Sequence, residues 1–276
     1  MKKVKIAFIG CGNMGRSLIG GLIANGHDPA LITGADPDAT QREFVKKQFS
    51  ISVYEENMDV VRDADVVVLA VKPQMMQTIL KSLGSMLVKR APLIISIAAG
   101  IRLDTIDNCL SDRLPIIRVM PNTPALIQAG VTALFANDVT SPEQREFAEG
   151  MMRSVGSAIW LEDEKLMDTV TALSGSGPAY FFLVMEVIER AAVKLGLSPE
   201  TAKLLTLETA FGAAKMALES ESDAATLRKQ VTSPGGTTEQ ALNVLIQEGN
   251  IEKLFLDALS AAKKRSEELA ASIKES

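Results

Sequence analysis

The stretch Val4-Lys5-Ile6-Ala7-Phe8-Ile9-Gly10-Cys11-Gly12-Asn13-Met14-Gly15 puts GxGxxG directly after an apolar, β-rich run and at the start of a helical pattern reaching Asn25. In a strand–turn–helix unit the first glycine permits a tight turn, the second lets a pyrophosphate touch backbone, and the third lets helix and strand pack closely. Amides at the helix N-terminus, with its partial positive charge, then bind the phosphates. Gly10, Cys11, Gly12, Asn13, Met14 and Gly15 are therefore candidates to hold a dinucleotide. Glycines used merely for a turn are the bland alternative, and the combined strand, spacing and helix stand against it.

Across residues 3–161, β-rich runs alternate with helical patterns: VKIAFIG, LITGA, VVVLAV, LIISIA, PIIRVM, VTALFA and SAIWL. Strands that are apolar without alternation are expected where helices cover both sheet faces. The fold class is α/β: residues 1–161 should form a Rossmann-type, parallel, doubly wound sheet, and residues 162–276 an all-helical substrate and dimerisation domain. Helices are expected at 165–173, 178–195, 199–220, 223–231, 238–248 and 250–273. Phe181, Phe182, Leu183, Val184 and Met185 make the second of these apolar nearly all round, so it should bury itself in a partner subunit. The mixed charges at 263–268 read as a solvated helix face.

A chain of 276 residues, 47% hydrophobic, can bury a large core. Its 29 basic and 34 acidic residues leave a net charge of −5, so no diffuse cationic surface is available for nucleic acid or anionic lipid, and any anion site must be local. The apolar run at 179–185 ends at Glu186, well short of the roughly 20 residues a bilayer needs, and a soluble, cytoplasmic protein without membrane or nucleic-acid partners is expected. Cys11 and Cys109 stand in no metal or CxxC spacing, so no metal site is expected.

Asp36, with Ala35 at the end of the second strand, lies about where a carboxylate holds the adenosine ribose, which favours NAD over NADP. Ala35-Asp36-Pro37-Asp38 is an equally good turn sequence, and both readings stand. The run at 66–70 leads into Val71-Lys72-Pro73, where open α/β sheets place ligands, although Lys72 also reads as a solvated lysine before a Pro-led helix. Met120-Pro121-Asn122-Thr123-Pro124 likewise follows a strand and is a stiff loop suited to line a nicotinamide pocket, or simply a turn.

A nicotinamide coenzyme implies hydride transfer, and a hydroxyacid substrate would need a group to handle its hydroxyl proton. The single histidine, His27, sits in a turn remote from the strand ends, and no lysine follows Leu173-Ser174-Gly175-Ser176-Gly177-Pro178 until Lys194. An imine already protonated on nitrogen removes that need and asks mainly for orientation and a carboxylate clamp. Val231-Thr232-Ser233-Pro234-Gly235-Gly236-Thr237-Thr238-Glu239-Gln240 offers one. The spacing from Thr237 to Gln240 fits a capping box, Gly235 and Gly236 expose backbone, and Thr238 has a hydroxyl for ring nitrogen or carboxylate.

RVMPNTPA, TALSGSGPAY, VGSAIWLEDE and VTSPGGTTEQAL together closely resemble pyrroline-5-carboxylate reductases over nearly the whole chain. The resemblance implies reduction of 1-pyrroline-5-carboxylate to L-proline by NADPH or NADH, a helix-swapped homodimer, and often a larger ring of dimers. It implies a substrate loop at 233–238, adenosine contact at Asn57, a coenzyme lining of Ala70, Val71, Lys72 and Pro73, and support of the loop by Glu221 and Ser233. Thr238, Ser233 and Glu221 are the catalytic candidates; Asn122 and Ser176 join Gly235, Gly236, Thr237 and Thr238 as substrate-binding candidates. Ala35-Asp36 departs from the serines common in that family, which leaves NADH and NADPH both open. Two rivals are a hydroxyacid dehydrogenase of the 6-phosphogluconate dehydrogenase type, weakened by the missing lysine, and a dinucleotide sensor without turnover, for which a carboxylate clamp has no use.

Overall fold

The computed structural model describes residues 4–274; Lys3, where the expected α/β pattern begins, and Met1 and Ser276, the outer limits of the two expected domains, lie outside the described residues. The chain divides into two compact units, Met1–Ser176 with Ala262–Ser276, and Gly177–Ala261.

In the first unit the strands are β1 (Ile6–Ile9), β2 (Ile32–Ala35), β3 (Ser52–Tyr54), β4 (Val66–Leu69), β5 (Leu93–Ser96), β6 (Ile116–Met120), β7 (Gly130–Ala136) and β8 (Gly156–Trp160). The helices are α1 (Asn13–Ala24), α2 (Ala39–Phe49), α3 (Asn57–Val61), α4 (Met76–Arg90), α5 (Leu103–Asp107), α6 (Pro142–Arg153) and α7 (Leu166–Val170). One sheet runs in the order β3-β2-β1-β4-β5-β6-β7-β8. Along β1, Ile6 and Phe8 pack with Leu18 and Ile19 of α1 and Met151 of α6, while Ala7 and Ile9 pack with Leu80, Leu83 and Leu87 of α4. Both faces are thus buried, each large apolar side chain contributing about 1.5–3 kcal/mol, and that is why the strand shows no polar alternation.

The expectation of a wholly parallel sheet needs correction. β6 and β7 pair antiparallel, Met120 opposite Ala133, and β7 and β8 pair parallel to each other, so the last two strands run against the rest. The connection from Met120 to Gly130 holds only a short 3-10 turn, Thr123–Ile127. That is too short for the crossover a parallel return requires, so the chain doubles back. β3, a three-residue strand with both outward residues exposed, was not among the seven runs read from the sequence.

From Leu166 the backbone is helical through a π-turn, Thr171–Gly175, into α8 (Gly177–Lys194). By length and composition this 29-residue stretch is apolar enough to cross a membrane, whereas the run at 179–185 taken alone is too short. The second unit continues with α9 (Pro199–Glu219), α10 (Ala224–Gln230), α11 (Thr237–Ile246) and the first part of α12 (Asn250–Lys274). Ser198 caps α9 by accepting from Thr201 N, with Pro199 at the first helical position. On α8 Phe181 is 68% and Phe182 65% exposed, and Phe211 on α9 is 66% exposed.

The end of α12 packs in the first unit. Ser266 and Ala270 are buried, while Lys264, Arg265, Glu267 and Glu268 are exposed, so the charged segment has one solvated and one packed face.

Candidate active site

The glycine loop joins β1 to α1 beside the end of β4. Gly10 has φ +94°, and a Cβ there would stand 2.5 Å from the Ala70 carbonyl oxygen, so both backbone angle and space demand glycine. Gly10 N donates to Ala35 O at 2.8 Å, and Ala70 N to Ile9 O at 2.8 Å, which locks the loop between the ends of β2 and β4. A Cβ at Gly15 would lie 2.6 Å from Gly10 O, the close helix–strand approach expected of the third glycine. Gly12 differs, for nothing lies within 4 Å of a Cβ placed on it, and as N-cap of α1 it has no side chain to cap the first amides. Backbone amides facing open space at a helix N-terminus fit a dinucleotide's phosphates. With β1 and β4 adjacent and their connections leaving on opposite sides, this is the topological switch point where such sheets bind ligands.

Asp36 closes the turn expected of it and is also bonded to the glycine loop. Its Oδ2 accepts from Cys11 N at 2.8 Å, within the glycine loop, and its Oδ1 accepts from Asp38 N at 2.9 Å, closing the turn before α2. A carboxylate has about four acceptor positions, so two remain for ribose hydroxyls. Burial and then Asp36 push the Cys11 thiol up to about 12, with Arg16 opposing, so Cys11 stays a protonated packing residue. Met14 packs beneath the loop, and Asn13 is exposed, its Oδ1 accepting from Arg16.

At the neighbouring strand ends Ala70 and Val71 are half-buried, Lys72 is exposed, and Pro73 opens a 3-10 turn before α4. Asn57 begins α3 and is half-buried. Asn122 is more deeply engaged than a substrate ligand need be. Its Nδ2 donates to Ser174 O at 3.1 Å, in the π-turn, and its Oδ1 accepts from Val131 N at 2.9 Å. Ser176, half-buried, ends that turn through its amide to Thr171 O. π-turns recur at functional sites, and Asn122 fixes this one to the loop after β6. His27 lies at the other end of β1, its Nε2 3.1 Å from Val4 O.

A buried ionic cluster, absent from the sequence reading, underlies these loops. Arg118 on β6, 3% exposed, pairs with Glu164 at 2.9 Å and faces Asp168 at 3.9 Å; Arg102 reaches Asp168 at 3.5 Å. Ser266 on α12 donates to Asp168 at 2.7 Å. Nothing in the one-dimensional pattern signals it, since its members are up to 164 positions apart between Arg102 and Ser266. Among the described residues, no three His, Cys, Asp or Glu side chains are grouped to hold a metal ion.

In the second unit, residues 233–236 form a tight turn in which Gly236 N donates to Ser233 O at 3.0 Å. Pro234 takes the second position and Gly235, at φ +72°, the third, where positive φ is required. The capping box expected at Thr237 and Gln240 is not formed. Gly236 is the N-cap, Thr237 the first helical residue, and no side chain caps the helix. Instead Glu239, which the Gly236 N-cap puts at the third helical position, reaches back and accepts from Gly235 N at 2.9 Å. Thr238 is half-buried; Ser233 and Gly235 are exposed. Glu221 is exposed in the link between α9 and α10, so Glu239 is the carboxylate seen to hold this turn.

Residues 164–269 match the family described as pyrroline-5-carboxylate reductase dimerisation, and residues 5–100 that described as NADP oxidoreductase, coenzyme F420-dependent. A pyrroline-5-carboxylate reductase of Pseudomonas aeruginosa is 52% identical over 270 residues, covering 98% of each chain. The solved structure of a pyrroline-5-carboxylate reductase from Coxiella burnetii gives a TM-score of 0.92 at 45% identity, covering 98% of this chain and 99% of that one. The Plasmodium falciparum pyrroline carboxylate reductase, solved with NADP bound, gives 0.86 at 30% identity, covering 98% and 99%.

Proposed function

The chain belongs to the pyrroline-5-carboxylate reductase family, and on that premise we propose how its residues divide the reduction of 1-pyrroline-5-carboxylate to L-proline. The hydride comes from NADPH or NADH. It adds to the imine carbon while the C=N π electrons pass to nitrogen, leaving the secondary amine of proline. The chain must therefore hold a planar cation and its carboxylate in one orientation, with no proton to remove from the reacting carbon.

Gly10, Cys11, Gly12, Asn13, Met14 and Gly15 bind the coenzyme pyrophosphate, and Ala35, Asp36 and Asn57 its adenosine end. Ala70, Val71, Lys72 and Pro73 line the rest of the coenzyme. The open position at Gly12, at an uncapped helix start, is the observation that carries this assignment. Gly235, Gly236 and Thr237 present amides to the substrate carboxylate, supported by the uncapped start of α11. Thr238 is the catalytic hydroxyl, hydrogen-bonded to the ring nitrogen as its charge changes. Ser233 and Glu221 support the turn, and Asn122 and Ser176 are the further substrate-binding candidates.

Residues 162–276 provide the substrate and dimerisation functions, and the exposed apolar side chains of α8 are covered by a second copy. Glu186, Glu189 and Arg190, with Glu186 and Arg190 paired at 3.5 Å, favour that occupant over lipid. A homodimer, assembled further into a ring, and a cytoplasmic location complete the proposal. The hydroxyacid dehydrogenase alternative is not favoured by the relatives. The test is coenzyme oxidation with 1-pyrroline-5-carboxylate, run in parallel with NADH and NADPH and with proline identified as product. A folded, dinucleotide-binding protein without turnover would overturn the assignment and restore the sensor.

A further inference from the structure

Arg42 is the guanidinium fixed at the end of β2. Its side chain is only 22% exposed; one nitrogen donates to the carbonyls of Asp36 at 2.9 Å and Pro37 at 2.8 Å, and the other pairs with Glu55 at 3.1 Å. Asp36 itself turns its carboxylate to the glycine loop. The place where NADH carries a ribose hydroxyl and NADPH a 2′-phosphate is thus framed by opposing groups: a carboxylate that accepts from hydroxyls and repels phosphate, and an arginine whose planar fork suits phosphate. Glu55 decides how much of the arginine's charge is available.

We propose that Glu55 is a specificity-determining residue: by pairing with Arg42 it withholds that guanidinium from a 2′-phosphate and biases the enzyme toward NADH. The inference rests on the coenzyme assignment above. Two carbonyls hold the arginine head in place, so it cannot swing away from Glu55 to meet a phosphate without loosening the turn before α2. Glu55 pairs with this guanidinium, and Asp36, whose backbone carbonyl the guanidinium holds, carries a second carboxylate, so a phosphate carrying close to two negative charges meets the repulsion of both. Glu55 is 66% exposed, so solvent screens the coupling and its effect is moderate.

The experiment measures dissociation constants for NADH and NADPH by nicotinamide fluorescence on the full chain, at low and high salt. The forms compared are native, Glu55→Gln, Arg42→Lys, and Glu55→Gln combined with Arg42→Gln. Glu55→Gln should shift the affinity ratio toward NADPH by about fivefold at low salt, the range of exposed charge couplings, and less at high salt. Arg42→Lys keeps the charge but loses the fork, and should bind NADPH more weakly than the native chain. The double variant should lose the shift. A ratio unchanged within about twofold in Glu55→Gln overturns the proposal, as does the same shift persisting without Arg42. Should the double variant misfold, a Glu55→Gln shift that ignores salt overturns it equally. Imine turnover is read separately, so a failed reductase assignment shows as coenzyme binding without turnover, whereas a failed proposal shows in the affinity ratio.

Discussion

Asp36 Oδ2 accepts the backbone N–H of Cys11 at 2.8 Å, so the carboxylate ending β2 is latched to the glycine loop that follows β1. The residue that would discriminate the coenzymes therefore also shapes the loop proposed to bind them. Asp36→Ser should move preference toward NADPH and lower stability by about 1 kcal/mol through the lost acceptor. Asp36→Asn, which retains one acceptor and removes the charge, should shift preference with a smaller loss of stability. Fluorescence titration and thermal melts separate the two, and an unaltered coenzyme ratio would leave Asp36 as a latch alone.

The first two glycines of the loop should fail in different ways. At Gly10 an alanine meets both the positive φ and the Ala70 carbonyl, so Gly10→Ala should destabilise the fold by about 1–3 kcal/mol. At Gly12 the Cβ enters open space and the backbone is ordinary extended, so Gly12→Ala should melt almost as the native chain does. Its loss should be coenzyme affinity, by about tenfold or more, since the methyl group occupies the pyrophosphate's approach. Equal melting temperatures for the two variants would contradict this division.

Asp168 is 3% exposed by side chain and holds Ser266 while facing Arg102 and Arg118. Asp168→Ala strands Arg118 with Glu164 as its remaining partner and should cost about 3–5 kcal/mol. Ser266→Ala removes one hydrogen bond and should cost about 1 kcal/mol. Urea denaturation distinguishes them; similar costs would mean that the serine contact, rather than the buried charge, secures the end of α12.

These contrasts mark what a sequence reveals. The strand–turn–helix geometry of the glycine loop is legible because Ile6 to Gly15 carry all three elements in one local segment. Strand direction is less so: β7 has the same apolar character as β6, and only the short connection dictates its reversal. Thr237 and Gln240 have the spacing of a capping box, yet the helix starts one residue earlier at the Gly236 N-cap, which gives the reach-back position to Glu239. The sequence marks Asn122 as a candidate only, because its bonds to Ser174 and Val131 join segments distant in the chain. Ser266 is buried through Asp168 and looks like any small residue on a charged helix.

The apolar face of α8 gives a further test. Phe182, 65% exposed, would take a charge at no cost in an isolated chain but would bury it in a dimer. Phe182→Glu should therefore dissociate or unfold the assembly, seen as a smaller species by light scattering or as a lost folding transition. A well-folded species of native size would refute the placement of this face at the subunit interface.

Thr238 offers the sharpest separation of chemistry from folding. Its position early in α11 needs no threonine for helix formation, because Gly236 is the N-cap and Glu239 holds the turn. Thr238→Ala should therefore leave the melting temperature and coenzyme affinity close to native, alanine being the better helix former. It should still lower imine turnover, about 10- to 100-fold for the loss of one hydrogen bond to a charged group worth roughly 1.5–3 kcal/mol. Because the proposed bond is to a nitrogen whose charge changes, the loss should fall on kcat as well as kcat/KM. A rise in KM alone would assign Thr238 to holding the carboxylate, and Thr238→Ser should then restore KM. Turnover equal to that of the native chain would remove Thr238 from the site and leave the backbone of Gly235 and Gly236 as the whole clamp.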